Sequence, residues 1–245
     1  MSTPSLLACA LLALAPAAPA ARAAAPLEAR TWVERVVQAY GGWERLRTVQ
    51  GYRLEGSLFA LQRHESARTI RIYARPDRLK VLIEYPDGHE ARLFDGRRSW
   101  RAAGGGGFEP SSGPMHQATV LQAARAAIPW ILRERVADAR LVAPLEHGGA
   151  RLPGIEIALG DGLLLRAYAD PVTWRVRVSQ GLLTRGSMPM RFETFYGDWR
   201  KVNGVVFAFR EESWASGVQT GITTVERFRV NPPMGKDEFS PPRLE

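Results

Sequence analysis

The chain holds one cysteine, Cys9, and only three lysines, Lys80, Lys201 and Lys236. A single thiol excludes a disulfide framework and a cysteine-built zinc site. No uninterrupted apolar run reaches the roughly 18–20 residues that a membrane-spanning helix needs. The histidines, His64, His89, His116 and His147, lack metal-ligand spacing, and adjacent pairs such as His64-Glu65 point to opposite faces of a strand. They read as surface residues, with no metal or other cofactor expected. A Gly-x-Ser-x-Gly elbow is absent, and Gly104–Gly107 lacks the strand–loop–helix setting with Lys and Ser/Thr that a phosphate-binding loop requires. Neighbouring carboxylates such as Glu211 and Glu212 diverge on a strand, so they read as a solvated face, not an acid–base pair. No catalytic residues are assigned, and the chain is read as a non-enzyme.

What is present is a chain of 245 residues, 45% apolar and 24% charged, which fits an ordinary globular protein. Its formal charge of +8 is carried almost wholly by arginine. At the N-terminus, Leu6–Ala20 forms an Ala/Leu-rich apolar region, and Ala21-Arg22-Ala23 fits a small-x-small cleavage pattern. Residues 1–23 are therefore expected to be a signal peptide cleaved near Ala23, which places the mature protein in the periplasm without a thiol. Residues 24–245 are expected to form one domain. An exported protein meets little nucleic acid, so the run Arg68, Arg71, Arg75, Arg78 reads as a solvated strand face, with attraction to anionic lipid headgroups as the functional alternative.

Leu27, Val33, Val36, Val37 and Tyr40 share one side of a helix that Gly41-Gly42 stops, and a short turn spans Trp43–Leu46. Period-two alternation follows in Tyr52–Leu58, Thr69–Tyr73 and Leu79–Glu84, and on this pattern Arg53 and Arg71 take the wetter face. Ala102–Pro114 reads as a flexible loop, and Met115–Val136 as a helix apolar on most sides. Pro129 predicts either a kink or two short helices with Pro129 in the first turn of the second. Strands resume from Leu141, including Trp174–Val178, Met190–Phe195 and the Asn203-Gly204 hairpin, and a Pro-rich tail closes the chain. The count is about ten or eleven antiparallel strands with one helical interruption.

A sheet of this size curls as its twist accumulates, so its apolar face becomes concave and must be covered. Only the N-terminal helix and the Met115–Val136 helices can cover it. The loop and helices over 103–137 read as a tethered lid above a hydrophobic cavity; an ordinary core helix packed closely through its alanines is the competing reading. The predicted lining is Leu54, Leu58, Ile70, Ile72, Val81, Ile83, Trp100, Leu121, Ile128, Trp130, Ile131, Val176, Phe192 and Phe207. Most tryptophans read as core anchors, with Trp130 singled out for its place in the lid.

Three segments carry a family resemblance. They are Ala39-Tyr40-Gly41-Gly42-Trp43-Glu44-Arg45-Leu46 with the strand from Tyr52; Phe94-Asp95-Gly96 with Trp100; and Tyr196-Gly197-Asp198-Trp199-Arg200 before Val202-Asn203-Gly204-Val205, closed by Asn231 and Phe239-Ser240-Pro241-Pro242. Across the mature chain this resembles the periplasmic lipoprotein carriers, LolA and its relatives including LolB, as a divergent member. The resemblance implies an α+β, mainly antiparallel, eleven-stranded unclosed half-barrel with helices over its concave side, binding lipoprotein acyl chains or other lipid. It also implies transfer towards the outer membrane, an inner- or outer-membrane transfer partner, and a buried arginine that latches the lid through helix carbonyls. The protein is read as a monomer. The competing functions are a structural or adaptor module of the cell envelope with a filled core, and a hydrolase on the same scaffold.

Overall fold

The computed structural model describes residues 27–185 and 189–242, so the expected signal peptide lies outside the described residues. Helix α1 (Leu27–Ala39) and the single turn α2 (Trp43–Leu46) lead into strands β1 (Gly51–Ala60), β2 (Glu65–Ala74), β3 (Arg78–Tyr85), β4 (Gly88–Phe94), β5 (Ser99–Ala103) and β6 (Glu109–Ser111). Helices α3 (Gly113–Ala126) and α4 (Trp130–Glu134) then intervene. Strands β7 (Ala139–His147), β8 (Ala150–Gly160), β9 (Leu163–Ala169), β10 (Val176–Leu183), β11 (Met190–Val202), β12 (Val205–Ala215) and β13 (Val218–Val230) complete the domain.

All thirteen strands form one antiparallel sheet in the order β6-β5-β4-β3-β2-β1-β13-β12-β11-β10-β9-β8-β7. The first and last strands pair in its middle, so the two free edges, β6 and β7, are consecutive in sequence. The segment joining those edges is α3–α4. The helical insertion therefore runs from one edge of the open barrel to the other, and the sheet does not close on itself.

The strand count exceeds the expected ten or eleven. Part of the predicted flexible loop folds as edge strand β6 on β5, and α3 starts at Gly113 with Pro114 in its first turn. The Gly148-Gly149 turn closes a β7–β8 hairpin that alternation does not reveal, because the pairing slips between Val142 and Leu145, around Pro144. Trp174 lies in a turn with φ 56°, not in a strand. Leu27, placed on the buried side of the first helix, is 79% exposed; Ala29 and Trp32 take the buried side with Val33, Val36 and Val37. The predicted break at Pro129 is present, with Pro129 directly preceding α4.

The first and last of the segments that carried the resemblance meet near the central seam, whereas Phe94-Asp95-Gly96 and Trp100 lie on β4, β5 and the turn between them, towards the β6 edge. Gly41, at φ 119°, lies so close to the Asn203-Gly204 hairpin that a Cβ there would sit 2.5 Å from the Gly204 carbonyl oxygen. The Val206 amide donates to the Tyr40 carbonyl at 3.1 Å. Asn231 bridges the same seam: its Oδ1 accepts from the Gln50 amide at 2.7 Å and its Nδ2 donates to the Thr48 carbonyl at 3.0 Å. Only residues that accept positive φ or carry a small two-way hydrogen-bonding amide fit these positions, so the motifs are architectural.

Candidate functional site: a clasped cavity on the concave face

Register assigns the faces. Leu54, Arg71, Val81, Arg92 and Arg101 are successive partners across β1 to β5, and this row faces the helices. The adjacent row, Arg53, Ile72, Lys80, Leu93 and Trp100, faces the convex side. Alternation thus separated the two rows of β2 correctly and assigned them to the wrong faces. Both faces of β2 are covered: the C-terminal tail lays Phe239 and Met234 against Ile70, Ile72 and Ala74 on the convex side. Hydrophobicity alone then cannot say which row points inward.

Ile70, Ile72 and Trp100 are therefore not cavity residues. Leu54, Ile128 and Phe207 do line the interior cavity. Leu58, Val81, Ile83, Trp130, Ile131 and Val176 belong to the main core on the same side. Leu121 packs with Leu163 and Leu183 beneath α3, with Phe192 against them.

The cavity measures about 90 Å³. That is smaller than the about 150 Å³ void that holds one benzene, and corresponds to a few waters. Its lining mixes aromatic residues, among them Tyr52, Tyr196, Trp199, Phe207 and Phe228, with the charged Arg71, Arg125 and Glu211. Arg71 forks onto Glu211, with Nη1 at 2.9 Å and Nη2 at 2.8 Å. Burial works against the Arg71 charge, but the Glu211 carboxylate outweighs it and the guanidinium pKa is raised. The phenol of Tyr196 is pushed up by burial, and its hydroxyl lies 2.8 Å from Ser179 Oγ.

Arg125 differs. It projects from α3 across Gly181 on β10, where an added Cβ would stand 2.5 Å from Arg125 Nη1. Its guanidinium lies 5.7 Å from the centre of the Phe192 ring. Nη1 is buried without a hydrogen-bond partner, as is Arg71 Nε. Burial pulls the Arg125 pKa down to about 10.

Two hydrogen bonds clasp α3 to the sheet. Near its start, His116 Nδ1 lies 2.8 Å from Ser99 Oγ; at its end, Tyr52 donates its hydroxyl to the Ala126 carbonyl at 3.0 Å. Tyr52 and Arg71 both line the cavity, Arg71 paired to Glu211 and the Tyr52 hydroxyl to the helix end. Ser99 is 2% exposed, so its pairing with His116 offers no accessible nucleophile. Apart from Leu121, the side chains that α3 buries are small: Thr119, Ala123 and Ala124. In contrast, α4 is anchored by Trp130 and Leu132, with Trp130 Nε1 donating to the Leu46 carbonyl at 2.8 Å and its ring packed on Tyr52, Tyr73 and Phe207. Of the predicted lid, α3 is lightly held and α4 is part of the core.

The basic run does not form one face. Arg68 meets Glu55 and Glu84 in solvent, Arg71 enters the cavity, Arg75 donates to the Arg47 and Val49 carbonyls, and Arg78 covers the Phe239 ring. His116 and His147 are partly buried, against Phe94 and Phe195 respectively, which corrects their reading as surface residues. Among the described residues, no group of three or more His, Cys, Asp or Glu could hold a metal, and no helix is long and apolar enough to cross a membrane. A larger open groove of about 560 Å³ lies outside the barrel, between α1 and β7–β8, lined by Leu27, Trp32, Leu141, Pro144 and Trp174.

Sequence reasoning missed Arg71, Arg125, Tyr52, Tyr196 and Glu211. Two signals pointed to them. Arg125 is a long cation in a stretch of small and apolar helix residues, and Gly181 interrupts a strand, which marks a close approach.

No family model matches the sequence, and no curated protein matches it. Solved structures do match. A domain described as an outer membrane lipoprotein-sorting protein from Vibrio parahaemolyticus aligns with TM-score 0.52 at 10% identity. A LolA superfamily protein from Nitrosomonas europaea gives 0.57 at 12%, and a DUF1329 family protein from Desulfovibrio piger gives 0.52 at 11%. Each alignment covers 86% of this chain and 97% of the other. The chain therefore shares its fold with these structures, and in this chain that fold is an unclosed antiparallel half-barrel with helices across its concave side.

Proposed function

We propose that the protein is a non-enzymatic periplasmic carrier that shelters the acyl part of a lipoprotein or another lipid on its concave face, beneath α3, for transfer towards the outer membrane. The observation that carries this reading is the uneven fastening of the insertion. Lifting α3 exposes Leu121, uncovers Leu163 and Leu183 beneath it, and breaks the Tyr52–Ala126 and Ser99–His116 bonds, whereas α4 stays anchored through Trp130. Re-exposing three leucines costs about 4.5–9 kcal/mol, at about 1.5–3 kcal/mol each, and each buried CH₂ of a guest returns about 0.8 kcal/mol. A chain of about ten carbons or more thus offsets the opening, before ordering costs. On this reading α3 is closed as it stands, and a tail enters as the helix moves. A fold shared with a lipoprotein-sorting domain supports the same reading.

The small cavity favours one competitor, an envelope adaptor whose interior is filled by its own aromatic side chains. Delipidated protein titrated with a fluorescent acyl probe separates the two: saturable uptake supports the carrier, and its absence supports the adaptor. Leu141→Arg, in the outer groove, leaves uptake unchanged if the tail lies in the barrel; its loss would move the site to that groove. Mass spectrometry of organic-soluble material travelling with the protein identifies the cargo.

A further inference from the structure

The interior cavity is lined by two guanidiniums, Arg71 and Arg125, and one carboxylate, Glu211. Glu211 is committed to Arg71 through both oxygens. Among the described residues no carboxylate pairs with Arg125, whose nearest organised neighbour is the Phe192 ring. A buried cation without a counter-charge is unfavourable and is normally paired or neutralised. Here it is held in place, since the absence of a side chain at Gly181 leaves room for the guanidinium. Arg71 Nε is a second buried donor without an acceptor, and the Tyr196 hydroxyl lies in the same lining. The same lining also carries Leu54, Ile128, Phe207 and Phe228. Donors without acceptors and apolar side chains thus share one cavity, a lining that suits an amphiphile with an acidic head.

We propose that the cavity recognises the anionic headgroup, phosphate or carboxylate, of an amphiphile, with Arg125 as the principal contact, Arg71 Nε as the second donor and the tail along Phe207 and Phe228 beneath α3. The tail rests on the carrier reading; the headgroup rests on the unpaired guanidinium. Charge-assisted bonds to phosphate or carboxylate oxygens are the strong class, and a guanidinium presents them in a fork matched to such groups.

The test titrates decyl phosphate, decanoate, decanol and inorganic phosphate into the delipidated full chain by calorimetry. Both acids should bind about tenfold or more tightly than decanol, a charge-assisted preference. Decanol binding as tightly as the acids overturns the headgroup and leaves the carrier standing. Inorganic phosphate binding while no decyl compound does supports the anion site and overturns the carrier. No binding by any of the four overturns both. Inorganic phosphate as tight as decyl phosphate makes a free anion the ligand and overturns the lipid headgroup. The Arg125→Met variant should narrow the acid preference to about twofold while keeping decanol affinity, and its Tm should equal or exceed that of the wild type because a buried unpaired charge is gone. A fall in Tm with the preference intact makes Arg125 structural and overturns the proposal; the wild-type comparison stands without any variant.

Discussion

Tyr52→Phe isolates the clasp at the end of α3. The substitution keeps the ring, which packs at 5.3 Å from Tyr73, 5.1 Å from Phe228 and 6.4 Å from Trp130, and removes only the hydroxyl. That hydroxyl satisfies the Ala126 carbonyl in the last turn of the helix, where carbonyls lack a helical partner. Losing such a bond in a partly buried site costs about 1–2 kcal/mol, and the loss falls on the closed position of α3 because the open position has solvent to replace it. A penalty of that size changes an opening equilibrium by about 5- to 30-fold. Amide exchange over residues 115–126 should therefore quicken by that factor, while the amides of α1, buried through Trp32, Val33, Val36 and Val37, serve as an unchanged internal reference. Acyl-probe uptake should quicken in step. If α3 and α1 amides accelerate together, Tyr52 is a general core residue and the clasp argument fails. If α3 exchange is unchanged, the hydrogen bond does not govern opening.

Gly181→Ala should lower stability by about 1–3 kcal/mol through overpacking. The Arg125 tip can swing away from the new Cβ, but Leu121 Cβ, 3.0 Å from it, belongs to α3 itself; an unchanged Tm would contradict this packing. Trp130→Phe strips the donor from the buried Leu46 carbonyl and should cost about 1–3 kcal/mol of global stability, read as a lower midpoint in urea with α3 and α1 exchange rising alike. Acid should weaken the fold through Glu156. Its burial opposes ionisation, but the hydrogen bonds from Arg140 and Arg166 prevail and lower its pKa. A lowered carboxylate stabilises above its unfolded pKa of about 4.3, and that contribution is lost as pH falls through the folded value. Glu156→Gln should flatten the acid limb of a Tm-against-pH curve, and an unaltered limb would show the pair to be inert.

Local signals served the fold well and the site poorly. Gly41-Gly42, Asn203-Gly204, Pro129 and Asn231 mark turns and breaks through backbone chemistry that acts within a few residues, so they are readable without a tertiary structure. Leu27 failed at the helix start, where spacing cannot tell how far the core extends. Ile70 and Ile72 failed because a tail more than a hundred residues away, ending in Phe239 and its prolines, covers the convex side of β2, and Trp100 because register sets it in the same outer row as Ile72.

By itself the sequence determined a long, curled antiparallel sheet interrupted by one two-part helical insertion, because strand alternation, turn residues and a helix-breaking proline are properties of neighbours along the chain. The tertiary structure decided which row of each strand looks inward, that α4 is fastened while α3 is clasped, and that Arg71 pairs with Glu211 while Arg125 has no carboxylate partner among the described residues. Those outcomes depend on contacts between distant parts of the chain, 140 residues apart for Arg71 and Glu211 and further for Phe239 on Ile70, where burial and pairing, rather than residue type, set the behaviour of a charge.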